Sequence, residues 1–135
     1  MAKKLCCTKD MSREEWLEWF EAHKDVTIAA WSSQGRGFFG NYPQFDPDKA
    51  DAATRMAVLT PENFARKERV LDLSERKGIR PSQISLLYVL SQKASVAAII
   101  GPRSCKDIDN VILASTEKLT QKEIDYLTLK TDTLD

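Results

Sequence analysis

The stretch AAIIGPRSCKDIDN, residues 97–110, decides the fold class of this chain. The apolar run at residues 96–100 has the length and composition of a buried strand. A glycine and a proline end this run, and a helix follows at once, with Ser104 as its N-cap and the Asp107 carboxylate three residues on. A strand that passes through a glycine turn into a helix N-terminus is a common way to build an anion site. The stretch therefore predicts an α/β fold with an anion site at this turn.

A second apolar run, residues 26–31, is short and rich in β-forming residues, and it predicts another buried strand. Before it we expect a helix that ends at about His23, because Ser12 and Glu15 form a capping box and apolar residues follow at helical spacing. Trp31, at the end of the strand, fits either the core or a stacking surface. Three aromatic residues of the helix are expected in the core: Trp16, Trp19 and Phe20.

The segment between the two strands begins with residues 32–51, which carry three glycines and two prolines and predict a long loop. Thr60 then supplies an N-cap for a helix predicted over residues 61–77, and Gly78 is placed for a left-handed C-terminal cap. Pro81 opens the next helix. This alternation of strand, helix and strand predicts parallel strands joined by a helical crossover.

Two strands cannot cover the edges of a parallel sheet. The sheet is therefore completed by an unrecognised strand, by another chain or by the rest of a larger fold, and the sequence favours the last of these.

A final helix is predicted from Thr120, where Glu123 completes a capping box.

The composition excludes several classes of partner. The chain has 20 basic and 20 acidic residues among its 135, so no net charge attracts nucleic acid or an anionic membrane. Its longest apolar run is about five residues, too short for a membrane span. The N-terminus lacks the apolar segment of a secretory signal, and three cysteines without metal-ligand spacing favour a reduced, cytoplasmic setting.

Four segments resemble the C-terminal portion of the aldo-keto reductases, and they occur in the order and at about the spacing of that family. The segments are WSSQGRGFFG at 31–40, KGIRPSQISLLYVLSQ at 77–92, AAIIGPRS at 97–104 and KLTQKEIDYL at 118–127. The resemblance implies a partial (β/α)8 TIM barrel, α/β and helix-dominated, containing the last two strands and the C-terminal helices. Residues 1–135 would form one partial domain, with an irregular segment at 1–11.

The resemblance also implies NADP(H) as the cofactor, held by the loops that follow the two strands. In the family, these loops approach the pyrophosphate and the adenosine 2′-phosphate. Arg103 offers a planar cation with several donors, which suits a phosphate monoester better than a ribose hydroxyl. The implied cofactor-binding residues are Ser32, Gln34, Gly35, Arg36, Gly37, Gly101, Arg103, Ser104 and Asp107. Glutamine and asparagine are usual in the family where this chain has Asp107 and Val111, and the neighbouring Asn110 lies one position off the motif.

The family reduces carbonyls with a tyrosine proton donor supported by lysine, aspartate and histidine. The chain has one histidine, His23, and none of its tyrosines (Tyr42, Tyr88 and Tyr126) matches the catalytic motif. No catalytic residue and no metal ligand is therefore assigned, and the chain alone is expected to be inactive.

Three interpretations follow. The chain is the C-terminal, NADP(H)-binding part of an aldo-keto reductase-like oxidoreductase that reduces aldehydes or ketones when complete, which we favour. Alternatively it is a stand-alone NADP(H)-binding or sensing module, or a barrel fragment that acts as an interaction protein and self-associates through exposed strand edges. Cofactor binding and oligomeric state distinguish these alternatives.

Overall fold

The structure, a computed structural model, describes residues 14–40 and 45–134. The start of the first predicted helix, with its Ser12 cap, lies outside these residues. Within them the chain forms α1 (Glu14–Ala22), β1 (Ile28–Ala30), α2 (Ala52–Val58), α3 (Pro61–Lys77), α4 (Pro81–Leu90), β2 (Val96–Ala98), α5 (Cys105–Ser115) and α6 (Gln121–Leu127). The result is a helix-dominated α/β fold.

The two strands pair in parallel, as predicted, with Ala29 opposite Ala97 in the centre of the register. Each has three residues, so the predicted strands at 26–31 and 96–100 were too long. Pairing ends where the backbone turns away: Ser32 has a φ of 55°, and on β2 a proline without an N–H follows Gly101.

The prediction that both strands are buried was wrong. Ala29 and Ala97 are exposed, because only one face of the two-stranded sheet is covered in the described part of the chain. Trp19 was also misassigned to the core: it is 43% exposed and stacks on His23, although its neighbour Phe20 is buried.

Helix α4 is the centre of the core, and it packs against α3, α5 and β2. Its sequence PSQISLLYVL is apolar on most sides, which is typical of a helix that is covered all round. The core cluster comprises Val70, Leu73, Ile84, Leu86, Leu87, Leu119 and Leu127. Burial of α4 fixes the position of its first turn, which borders the site described below.

The boundaries of α3 confirm the predicted caps. The Thr60 hydroxyl accepts a hydrogen bond from the Asn63 N–H at 3.2 Å, and Pro61 occupies the first helical position. At the other end, Gly78 has a φ of 66° and closes the helix in the left-handed conformation.

In its described parts, residues 32–40 and 45–51, the predicted loop contains tight turns and a buried aromatic side chain, and α2 after it was not predicted. The Asp51 carboxylate caps α2 by accepting from the Thr54 N–H at 2.7 Å. Phe38 is fully buried in this segment, in edge-to-face contact with Phe45 and Phe64 at about 5.4 and 5.3 Å between ring centroids. Aromatic packing across a distance in sequence, which local turn signals do not encode, gives the loop its structure.

Helix α6 begins with the predicted capping box. The Thr120 N–H donates to the Glu123 carboxylate at 2.7 Å, and the other carboxylate oxygen lies 2.8 Å from the Lys77 ammonium. Burial tends to raise the pKa of Glu123, but the bonds from Lys77 and Thr120 outweigh it and hold that pKa below its ordinary value.

Glu123→Gln is therefore expected to destabilise the protein in a pH-dependent way. A carboxylate whose folded pKa is depressed stabilises the fold above its unfolded pKa of about 4.3, and this contribution is lost as the pH falls through the folded pKa. We expect a loss of about 1 kcal/mol in unfolding free energy near neutral pH and convergence with the wild type in acid. Urea unfolding across pH measures both, with the exposed Glu117→Gln as control. An equal loss at every pH would contradict this account.

Candidate functional site

The loops that follow β1 and β2 meet at the carboxyl ends of the two strands. The Ile99 N–H donates to the Ala30 carbonyl at 3.0 Å, and the Ser33 hydroxyl donates to the Ile99 carbonyl at 2.8 Å. These bonds hold the two loops side by side along one cleft. Ligands of α/β proteins bind outside the carboxyl ends of parallel strands, so this is the edge at which a site is expected.

The cleft has a volume of about 570 Å³, within the usual range for small-molecule sites. It brings together most of the residues that the sequence singled out: Ser32, Gln34, Arg36, Gly37, Gly101, Arg103 and Asp107. Gly35 and Ser104 do not line it. Both instead support the backbone of residues that do, as described next.

The segment 32–37, here called the strap, turns tightly along one side of the cleft. Gly35 and Gly37 have φ values of 57° and 87°, and Ser32 and Arg36 have 55° and 54°. The left-handed region costs a non-glycine residue roughly 1–2 kcal/mol. Two such residues in one cleft-lining turn indicate that the strap geometry is held by its surroundings.

Gly35 has a structural role in addition to the predicted approach to the cofactor. A Cβ at this position would lie 2.8 Å from the Phe39 ring, so glycine lets the strap close onto that ring. Gln34 attaches the strap to α4: its side-chain amide donates a hydrogen bond to the Ser82 carbonyl, in the first turn of that helix, at 3.1 Å. The strap is thereby fixed to the buried helix.

Arg36 points from the strap toward α2. Its guanidinium lies 3.4 Å from the Asp51 carboxylate and 3.2 Å from the Thr54 hydroxyl, and 5.5 Å from the centroid of the exposed Trp31 ring. The backbone bond from Thr54 is the main reason that the pKa of Asp51 is lowered; burial opposes it, and the Arg36 charge adds to it. The positive charge of Arg36 is thus partly offset by the Asp51 carboxylate, which also caps α2.

On the other side of the cleft, the turn before α5 forms a reciprocal cap. The Asp107 N–H donates to the Ser104 hydroxyl at 3.2 Å, and the Asp107 carboxylate accepts from the Arg103 backbone N–H at 3.0 Å. Asp107 is therefore a capping carboxylate that fixes this turn. The Arg103 side chain is 80% exposed, and its Nε lies 4.0 Å from that carboxylate.

Several cleft residues come from the first turns of α4 and α5 and were not predicted. Gln83 donates from its side chain to the Asn110 carbonyl at 3.1 Å, and this bond ties α4 to α5 beneath the cleft. The unpredicted lining residues include Arg80, Ser82, Gln83, Asn110 and Val111. Of these, Arg80 could have been recognised from the sequence, because it occupies the N-cap of α4, a position that Ser, Thr, Asp or Asn normally fills.

The described residues do not assemble an acid–base centre around a tyrosine. His23 is exposed and bonds the Trp19 carbonyl at 2.8 Å, while the Tyr126 hydroxyl donates to Asp72 at 2.9 Å. Burial raises the pKa of Tyr126, and the Asp72 hydrogen bond and charge raise it further. Burial also raises the pKa of Tyr88. Tyr42 lies outside the described residues.

The described part of the chain contains neither a metal cluster nor a membrane-spanning helix. No three of its histidine, cysteine and carboxylate side chains are grouped so that they could hold a metal ion. None of its helices combines the length and apolar character that crossing a bilayer requires.

Comparison with known proteins identifies the family. The sequence model described as the aldo/keto reductase family matches residues 4–131. Curated relatives include "Probable aldo-keto reductase 1" of Glycine max, 31% identical over 105 residues, and "Aldo-keto reductase str7" of Strobilurus tenacellus, 28% identical over 110 residues. Each match covers 73% of this chain, which spans only 30% and 31% of the two relatives' lengths. No solved structure matches significantly. Because the family model covers nearly the whole sequence, the chain belongs to the aldo/keto reductase family.

Proposed function

We propose that this chain provides the NADP(H)-binding part of an aldo-keto reductase that reduces aldehydes or ketones. The observation that carries the proposal is the cleft at the carboxyl ends of β1 and β2, lined by the strap on one side and by Arg103 on the other. On this view β1 and β2 are the last two strands of a (β/α)8 barrel, and residues 1–135 are one partial domain.

The chemistry of the cleft supports a phosphorylated dinucleotide. It presents guanidinium groups from both sides together with polar side chains such as Gln34 and Ser32. Guanidinium groups match phosphate oxygens with paired donors, and a phosphate monoester gains more from them than a hydroxyl does. We assign Arg103 to the 2′-phosphate and the strap, including Arg36, to the pyrophosphate.

The cofactor, when bound, supplies the hydride for carbonyl reduction, and the chain's residues hold and orient it. The proton donor is not provided by the described tyrosines, which are engaged elsewhere or half-buried in helices. We therefore propose that the catalytic set is contributed from outside this chain. The chain alone should show no NADPH-dependent reduction of an aldehyde, and turnover would refute this.

Two further assignments accompany this proposal. A cytoplasmic location is proposed from the cysteine pattern, because three cysteines without metal-ligand spacing favour a reduced setting. Self-association through strand edges stays a prediction: in the described part of the chain, each strand has one unpaired edge.

Arg103→Ala is expected to weaken NADPH binding by about 10- to 100-fold, the equivalent of losing a charge-assisted contact. The fold should be unaffected because the side chain is exposed. Quenching of tryptophan fluorescence on titration with NADPH measures the affinity. Lys106→Ala is the matched control, since it removes a nearby exposed cation that does not line the cleft. Wild-type protein that fails to bind NADPH would overturn the proposed function.

A further inference from the structure

The cleft carries three arginines, and two of them have acidic partners within the protein. Arg36 pairs with Asp51, and Arg103 lies 4.0 Å from Asp107. Among the described residues, the guanidinium of the third, Arg80, has no ion-pair partner. Arg80 therefore contributes to the cleft a positive charge that is not engaged in an ion pair with any described carboxylate.

The backbone of Arg80 is fixed although its side chain is exposed. Its N–H donates to the Gln83 side chain at 2.8 Å, and its carbonyl accepts from the Gln83 and Ile84 N–H groups at 2.9 and 3.1 Å. Ile84 is fully buried in the core. The guanidinium thus extends from a rigid base, which lowers the entropy lost when it binds a ligand.

An arginine is an unfavourable choice for this position. It supplies no side-chain cap to α4, whereas Thr60, Asp51 and Thr120 cap their helices through side-chain oxygens. It also places a cation at the positive end of the helix dipole. Departures from local rules of this kind are expected where a residue serves a ligand.

Arg80 also stands where the cleft continues into a second crevice of about 630 Å³. Arg80, Gln83 and Asn110 line both spaces. Arg80 and Arg103 precede α4 and α5, two helices that pack together and are joined by the Gln83–Asn110 bond. Arg80 and Arg103 therefore both line the cleft, from positions just before two neighbouring helices.

We propose that Arg80 is a specificity-determining residue that acts with Arg103 to select a dinucleotide carrying a ribose phosphate over one without it. This inference rests on the proposed function. A phosphate monoester carries close to two negative charges and three acceptor oxygens. One guanidinium whose charge is partly offset by Asp107 leaves much of that charge uncompensated, and Arg80 supplies the remainder.

The test measures binding of NADPH, NADH, 2′,5′-ADP and 5′-AMP to the wild-type chain, Arg80→Ala, Arg80→Lys and the control Lys106→Ala. Isothermal titration calorimetry gives the affinities, and circular dichroism checks the fold. We expect Arg80→Ala to weaken NADPH and 2′,5′-ADP by about tenfold and to leave NADH and 5′-AMP within about twofold. Arg80→Lys should recover part of the loss, because it restores the charge without the paired donors.

The outcomes distinguish a failure of the proposed function from a failure of the role of Arg80. Wild-type protein that binds none of the four ligands refutes the proposed function and this inference with it. Wild-type binding that Arg80→Ala leaves unchanged refutes only the role of Arg80. Equal weakening of NADPH and NADH binding by Arg80→Ala would place Arg80 at the pyrophosphate and overturn its role in selection. If Lys106→Ala weakened NADPH binding as much as Arg80→Ala does, the effect would be general attraction by positive charge, and the role of Arg80 would again be overturned.

Discussion

Gly40→Ala is expected to displace the strap from α4 and to destabilise the protein by about 2–3 kcal/mol. A Cβ at Gly40 would lie 2.6 Å from the Ser82 Cβ and 2.7 Å from its Cα. Both distances are far below van der Waals contact, and one of the atoms is backbone, so no side-chain rotation relieves the clash. Because α4 is the buried centre of the core, the loop must move instead.

Urea unfolding followed by circular dichroism measures the loss, and NADPH titration measures the effect on the cleft. Gly101→Ala is the matched control for stability alone, since a Cβ there meets no heavy atom within 4 Å, whereas Gly101 itself lines the cleft. Its stability should stay within about 0.5 kcal/mol of the wild type. Adding Ser82→Gly to Gly40→Ala should rescue only part of the loss, because the Ser82 Cα remains in the way. Full stability of Gly40→Ala would show that the loop does not approach α4 closely.

Features that depend on local chemistry could be predicted from the sequence. The start of α3 at Thr60, its end at Gly78 and the capping box of α6 were all readable, because a few adjacent residues determine each of them. The parallel pairing of the strands also followed from the order of the elements. The lengths of the strands could not be predicted in this way, since they depend on where two segments that are distant in sequence diverge.

The candidate site could be predicted only in part, for a related reason. The loops after the strands were identified through the resemblance to a family, but the contribution of α4 was missed. Gln34 and its partner Ser82 are 48 positions apart in sequence, and nothing local to either predicts that contact. Gly40 was missed likewise, because its close neighbour belongs to another element.

A second large effect is expected from Arg69→Ala, which should lower the unfolding free energy by about 2–4 kcal/mol. The Arg69 guanidinium extends from α3 and donates to the carbonyls of Tyr126, at 2.8 Å, and Thr131. It also bonds the Asp132 carboxylate at 2.8 Å. With only 17% of its side chain exposed, it fastens the segment after α6 to the body of the protein, and that segment returns Leu134 to the core.

The backbone carbonyls, rather than the ion pair, account for most of this expected loss. Asp132 is 95% exposed, and exposed ion pairs stabilise little. The urea midpoint of Asp132→Ala should therefore lie close to that of the wild type. The midpoint of Arg69→Ala should be clearly lower, because this variant leaves carbonyl acceptors without their donor. Arg69→Lys should recover little, because one ammonium group on a flexible stem does not reproduce the fixed fork that serves several acceptors. If Asp132→Ala were as destabilising as Arg69→Ala, the surface ion pair would be the main contribution and the carbonyl contacts would matter little.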